Sequence, residues 1–383
     1  MNFTRPLALV LCCIVIAGLL SAGCITPNDG KTPAGEKTLT IVDMMNRTVT
    51  APADPDRIIG IGAGALRMIV YLQEQDKVVG VDIREQDANG TVSGMPSGID
   101  RPYNIAHPDL ASRPFVGGIS GDPELIALQK PDVVFVTFVT GKDADALQEK
   151  SRVPVISLIS GDLGKNRLVF YSSLRTMATV LGKEQRAEDV ISYINATLAD
   201  LQERTGGIPA GEKVSVYVGG IAYNGAHGLL STDPAYAPLA MVNGNNVAAG
   251  AGTGGQIMID KEKLLSWNPD VIFIDEASYS LVVEDLKDPV YQSLDAVREG
   301  RVYGVMPYNW YANNYDTVLA DAYFIGKILY PAQFTEVDPE QKADEIYSML
   351  DGEPVYAEMK RIFGGFVPFS QIDTLNSQPG IKA

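Results

Sequence analysis

The stretch Asp122-Pro-Glu-Leu-Ile-Ala-Leu-Gln-Lys-Pro-Asp-Val-Val-Phe-Val136 recurs in pattern as Asp260-Lys-Glu-Lys-Leu-Leu-Ser-Trp-Asn-Pro-Asp-Val-Ile-Phe-Ile274. Each copy opens on an aspartate suited to cap a helix, places a glutamate two residues later and runs about two helical turns. Each then stops at Pro-Asp and enters a β-branched run that reads as a strand. One helix-to-strand unit is thus present twice, which predicts two similar lobes. Glu124 and Glu262 hold matching places, each seven residues before its proline (124 to 131, 262 to 269). Alone, either is a first-turn acid that steadies its helix through the macrodipole. As a pair on separate lobes, they make two spaced anionic points suited to arginines of a two-fold partner.

Working outward, Lys37 to Thr50 predicts an opening strand or hairpin. Asp56 to Ile61 reads as a buried strand, Ala65 to Gln73 as a helix and Lys77 to Asp82 as the next strand. Strand and helix alternate, so a parallel sheet is expected, with Val133–Phe138 and Pro154–Leu158 completing it. Between Arg84 and Phe115 there is no clear period. One long helix spans Gly164 to Leu181 and stops at Gly182, and a second spans Ala187 to Glu203. The second lobe starts with Lys213–Val218 and has Arg301-Val-Tyr-Gly-Val305 where the first has Lys77-Val-Val-Gly-Val81. Helices over Asp316–Leu329 and Pro339–Ile362 close the chain. The expected fold class is α/β: two Rossmann-like lobes with mainly parallel sheets, joined by one long connecting helix.

At 383 residues the chain suits two domains. Residues 1–23 contain Arg5, an apolar run from Leu7 to Leu20 and small residues ahead of Cys24, as in a lipoprotein signal peptide with lipidation at Cys24. The alternative is an uncleaved anchoring helix; both place the body outside the membrane. Residues 24–37 read as a flexible tether. All three cysteines lie in the leader, so the body lacks a disulfide, a thiolate metal site and a cysteine nucleophile. A formal charge of −16 argues against nucleic acid as a partner and for a basic docking surface.

The ordered set of leader, Thr48-Val-Thr-Ala-Pro-Ala-Asp-Pro-Asp-Arg-Ile58, Lys77-Val-Val-Gly-Val-Asp82, the two Pro-Asp units and the long mid-chain helix resembles the helical-backbone (class III) substrate-binding proteins of ABC importers. These importers are of the ferric-siderophore, haem and vitamin B12 type. The resemblance covers roughly residues 38 to 365. It implies an N-terminal lobe over 38–163, a connecting helix over 164–184 and a C-terminal lobe with closing helices over 185–383. It further implies an interlobe cleft for the ligand and docking of Glu124 and Glu262 on an ABC permease that works with its own ATPase. The protein is then a monomeric binding protein rather than an enzyme, with no cofactor and no bare metal site, and it carries a metal chelate. An oxyanion such as molybdate or tungstate, haem and a corrinoid are the alternatives within this fold.

Three constellations are candidates for the cleft. Gly60-Ile-Gly-Ala-Gly-Ala65, with Asp82 at the end of the next strand, meets the Gly-x-Gly-x-x-Ala dinucleotide fingerprint. It reads equally as a turn whose Gly62, Ala63 and Gly64 line a cleft, or as tight-turn sterics alone. The segment Tyr308-Asn-Trp-Tyr-Ala-Asn-Asn-Tyr315 interleaves aromatics with amides, so Trp310, Tyr311 and Asn314 are expected to stack on or bond a large, flat or chelated ligand. The two histidines, His107 and His227, lack a second ligand at helical spacing; with Tyr103, Tyr223 and Asn224 they sit in loops predicted at the cleft end of a lobe. Arg67, Arg84 and Arg101 are candidate positive charges for an anionic ligand. No Gly-x-Ser-x-Gly, His-Glu-x-x-His or Walker pattern supports a hydrolase or ATPase. An extracytoplasmic oxidoreductase and a structural surface protein are the readings from other classes.

Overall fold

A computed structural model describes residues 37–86 and 100–372. The leader with Cys24, and the tether up to residue 36, lie outside the described residues. The described chain opens with the hairpin β1 (Thr38–Val42) and β2 (Thr48–Pro52), paired antiparallel. Strands β3 (Ile58–Ile61), β4 (Val78–Val81), β5 (Val133–Thr137) and β6 (Val155–Leu158) then form a parallel sheet in the order β4-β3-β5-β6.

The second lobe repeats this plan. Its strands are β7 (Ser215–Gly219), β8 (Ser231–Thr232), β9 (Asn245–Asn246), β10 (Ile257–Met258), β11 (Val271–Asp275) and β12 (Val302–Val305). Four of them make a parallel sheet in the order β12-β11-β7-β9, while β8 and β10 pair antiparallel beside it.

The repeated unit occupies equivalent places in the two lobes. Helix Pro123–Gln129 leads into β5 and helix Lys261–Trp267 into β11, both inner strands. Asp122 accepts N–H bonds from Glu124 and Leu125, and Asp260 from Lys263. Both helices end on a left-handed residue, Lys130 and Asn268. The aspartate of each Pro-Asp then ties in the neighbouring strand. Asp132 takes the N–H groups of Asp56 and Arg57 at 3.1 and 2.9 Å, and Asp270 takes the N–H and hydroxyl of Ser215, each at 2.7 Å.

Arg301–Val305 does not correspond to Lys77–Val81. By strand order β12 holds the place of β6, and the place of β4 falls to the two-residue β9. The shared Gly reports a local need instead of a shared slot: a Cβ on Gly80 would lie 2.5 Å from Val116, and one on Gly304 2.2 Å from Glu276. Elsewhere Pro339–Ile362 divides at Gly352 into helices Pro339–Asp351 and Tyr356–Phe363. The mid-chain helices run over Arg167–Leu181 and Glu184–Thr205, and the next over Tyr315–Leu329.

Period-two alternation sorts each sheet's side chains onto two buried faces, as parallel sheets require. Outward, Ile59, Val134 and Val136 form one cluster, and Tyr217, Ile272 and Ile274 another. Inward, Ile58, Val133 and Phe135 of the first sheet and Val216, Val218 and Phe273 of the second belong to a single core. Phe170, Met177, Ile194 and Leu319 from the long helices connect them within it.

Asp270→Ala should lower stability by about 1 kcal/mol, because the half-buried start of β7 loses its acceptor. Asp132→Ala should cost less, since its bonds face water. Urea unfolding of the two variants tests this, and an equal or absent loss would contradict the roles given to the two aspartates.

Candidate functional site

A cavity of about 890 Å³ opens between the lobes, at the carboxyl ends of the parallel strands. Such ends are where open α/β sheets bind ligands. The segments after β3, β5 and β6 supply Ala63, Phe138 and Ile159–Gly161; the segments after β7 and β12 supply Tyr223, Asn224 and Asn309–Asn313.

The turn after β3 is held by its own neighbours. Gly62 and Gly64 take positive φ of 85° and 90°, which glycine tolerates. The Gly62 N–H donates to Asp82 Oδ2 at 2.9 Å, and the Ala63 carbonyl accepts from Thr137 and Ser160 hydroxyls at 2.9 and 2.7 Å. A Cβ on Gly60 would lie 2.8 Å from Ile69, so that glycine serves close helix-to-strand packing. Asp82 is fully buried and also accepts from the Arg84 N–H and the Tyr311 hydroxyl. The acid that the dinucleotide fingerprint assigns to a ribose therefore faces the glycine turn itself, where a pyrophosphate would meet its negative charge.

Arg67 is buried completely. Its Nε donates to Asn314 Oδ1 at 3.0 Å, and its terminal nitrogens donate to the carbonyls of Asn313, Tyr311 and Ala312 at 2.5, 2.9 and 3.3 Å. Asn314 in turn donates to the carbonyls of Tyr308 and Trp310. The first-lobe helix Ala65–Tyr71 thus holds the aromatic loop of the second lobe, including Tyr311 and Ala312 at φ 53° and 63°. Gly64 makes room for it: a Cβ there would lie 2.9 Å from Ser160 and 3.6 Å from Ala312.

Two guanidinium groups reach the cavity. Arg101 is spoken for: it bonds Glu85 at 2.8 Å and the Tyr103 hydroxyl, and stacks 4.9 Å over the Tyr311 ring. Its Nε has no partner among the described residues. Arg84 spends its backbone N–H on Asp82, but its guanidinium forms no hydrogen bond or ion pair among the described residues.

Of the residues expected at the ligand, the structure brings Ala63, Arg84, Tyr223, Asn224, Trp310 and Tyr311 to the cavity wall. Gly62, Gly64, Arg67 and Asn314 stand behind it, shaping and fastening the turn and the loop. Tyr103 is buried against Glu85 and Arg101. His107 bonds the Asp351 carbonyl at 2.7 Å, and His227 braces its own loop by bonding the Tyr223 carbonyl at 2.9 Å. The wall also contains residues that sequence reasoning missed, chiefly Phe138, Asn166, Asn309 and Asn313. Phe138 is 73% exposed at φ 57°, an unusual backbone for an aromatic. It is the last residue of a predicted parallel strand and stands just past the observed one, and that strand-end position was the available signal. Among the described residues no group of three His, Cys, Asp or Glu is set to hold a bare metal ion, and no helix is long and apolar enough to cross a membrane.

Two parallel-sheet lobes with a cleft at their strand ends define a bilobal substrate-binding protein. The chain matches the periplasmic binding protein family over residues 72–308 and belongs to it. It is thus an extracytoplasmic substrate-binding protein of the kind that serves ABC transporters, in a family of binders and not of enzymes. It is 24% identical over 331 residues to the molybdate-binding protein MolA of Haemophilus influenzae, covering 80% of this chain and 89% of that one. The molybdate-bound MolA structure superposes with a TM-score of 0.63 at 21% identity, covering 82% of this chain and 98% of MolA. An uncharacterized ABC transporter substrate-binding lipoprotein of Bacillus subtilis, YvrC, is 25% identical over 310 residues, covering 77% and 88%. The petrobactin-binding protein YclQ of Bacillus subtilis has the same fold, with a TM-score of 0.54 at 15% identity, covering 78% of this chain and 99% of YclQ.

The buried acids at the strand ends make stability depend on pH. Burial, with Glu85 nearby, raises Asp82 from 3.8 to about 6; burial likewise raises Asp275 to about 6. Folding therefore takes up protons between those values, and stability should fall as pH rises through that window. Asp275→Asn should flatten the fall, seen in melting temperatures measured from pH 4 to 7. An unchanged slope would mean Asp275 does not titrate there.

Proposed function

We propose that the cavity binds a metal chelate of the iron-siderophore type, which the protein hands to an ABC permease. The carrying observation is the cavity's size and lining. About 890 Å³ walled by Phe138, Tyr223, Trp310 and Tyr311 with four asparagines suits a drug-sized ligand that offers flat faces and many acceptors. A tetrahedral oxyanion would touch only a small part of these walls. Arg84, whose guanidinium has no hydrogen-bond or ion-pair partner among the described residues, supplies charge for an anionic chelate. The second reading is an oxyanion, favoured by the likeness to MolA and by that same arginine. Ala63, Arg84, Tyr223, Asn224, Trp310 and Tyr311 are the proposed ligand contacts.

Docking is assigned to Glu124 and Glu262. Both are exposed, each opens a helix antiparallel to an inner strand, and both helices start at the strand ends that bear the cleft. Neither carboxylate has a hydrogen bond or ion pair among the described residues. Lipidation at Cys24 would hold the monomeric protein at the outer face of the membrane. The core common to both lobes supports limited lobe motion, so docking, more than spontaneous opening, would drive release.

A thermal-shift panel of ferric siderophores, haemin, cobalamin, molybdate and NAD tests the ligand. A ferric siderophore at a hundred times its Kd should add about 2.7 kcal/mol of stability. A response to molybdate alone would replace the chelate by an oxyanion. The double variant Glu124→Ala, Glu262→Ala should lose transport while keeping ligand affinity; intact transport would remove the docking role.

A further inference from the structure

Four residues of the main cavity's wall face a second cavity as well. Asn166, Tyr223, Asn309 and Asn313 also line a second cavity of about 1000 Å³, which lies between the start of the Arg167–Leu181 helix and the segments around Asp233 and Gly254. The two compartments differ in charge. Arg84 and Arg101 line the first, with no carboxylate among the described residues of its lining. Asp162, Asp233 and Asp275 line the second.

Asp162 is occupied by its own turn, accepting the Gly164 and Asn166 N–H groups and the Asn166 amide. Asp233 and Asp275 form the inner wall. Asp233 accepts the Ala235 N–H at 2.8 Å, and Asp275 accepts the Ala222 and Ala277 N–H groups at 3.0 Å each. Neither has a cationic partner among the described residues. Lys165 and Arg167 also line this cavity, at the start of the helix, where Lys165 is exposed; no ion pair joins either to the two acids. Burial raises both carboxyl groups above the usual range, so a positive charge set against them gains more than it would at the surface.

We infer that the cleft is bipartite and that the cargo is a chelate with a cationic aliphatic ammonium arm, the metal centre lying by Arg84 and Trp310 and the arm against Asp233 and Asp275. This rests on the chelate reading. The four shared residues make a passage of amides and one phenol ring, which an uncharged methylene linker can cross without leaving a charge unpaired.

A matched pair of probes tests it: a linear ferric trihydroxamate with a free terminal amine, and the same chelate with that amine acetylated. Quenching of tryptophan fluorescence by the iron chelate reports binding of either to the intact protein. The amine form should bind at least tenfold more tightly, and D233N should shrink that ratio toward one while leaving the acetylated chelate's affinity unchanged. Equal affinities in the wild-type protein, or tighter binding of the acetylated form, would overturn the cationic arm and leave the chelate reading standing. Binding of neither chelate would overturn both.

Discussion

A guanidinium sealed from water must find oxygens for its N–H groups, and Arg67 finds them in a single loop of the opposite lobe. Much of the cleft follows from that constraint. The loop takes left-handed backbone at Tyr311 and Ala312, a conformation that persists only where the surroundings over-determine it. Arg67 and Asn314 supply that determination through five carbonyl bonds. The Tyr311 hydroxyl then reaches Asp82, which holds Gly62, so the aromatic wall and the glycine turn form one fastened unit. A wall so fixed meets a ligand with little ordering left to do.

The core beneath reinforces this. Both sheets turn their inner faces to one continuous apolar cluster, threaded by the Arg167–Leu181, Glu184–Thr205 and Tyr315–Leu329 helices. Wide separation of the lobes would expose that surface, at about 25 cal/mol for each Å². Freedom is left to side chains at the rim, such as the exposed Phe138 and Tyr223, which can adapt to a ligand without disturbing the frame.

What could be read from sequence was what is decided locally. Asp122 and Asp260 as caps, the helix length and the Pro-Asp stop are each set within a few residues, so the repeated unit and the parallel sheets it builds were legible. Arg67 was not, because its partners lie some two hundred and forty residues away and nothing near it distinguishes a cleft arginine from a buried tie. The partners of Tyr103 and His107 are hidden from sequence for the same reason: Glu85 and the Asp351 carbonyl meet them only in space. Lys77–Val81 and Arg301–Val305 share a glycine for close approach, and a local pattern was there mistaken for a topological one. Phe138 and the asparagines entered the site through strand-end position, which topology reveals and composition does not.

The charge of the chain bears on how it captures its ligand. A body at −16 repels an anion at distance, although physiological salt confines that field to about 8 Å. An anionic ligand of any kind therefore gains nothing from steering. A basic permease surface is attracted by the same field, and so is any cationic group on the ligand. One charge distribution thus favours a basic partner and disfavours free anions, while the guanidinium of Arg84, lining the cavity, is a local exception to it. MolA and YclQ share these sheets, yet their names record molybdate and petrobactin. Selection among cargoes then lies outside the shared sheets, in the loops at their strand ends.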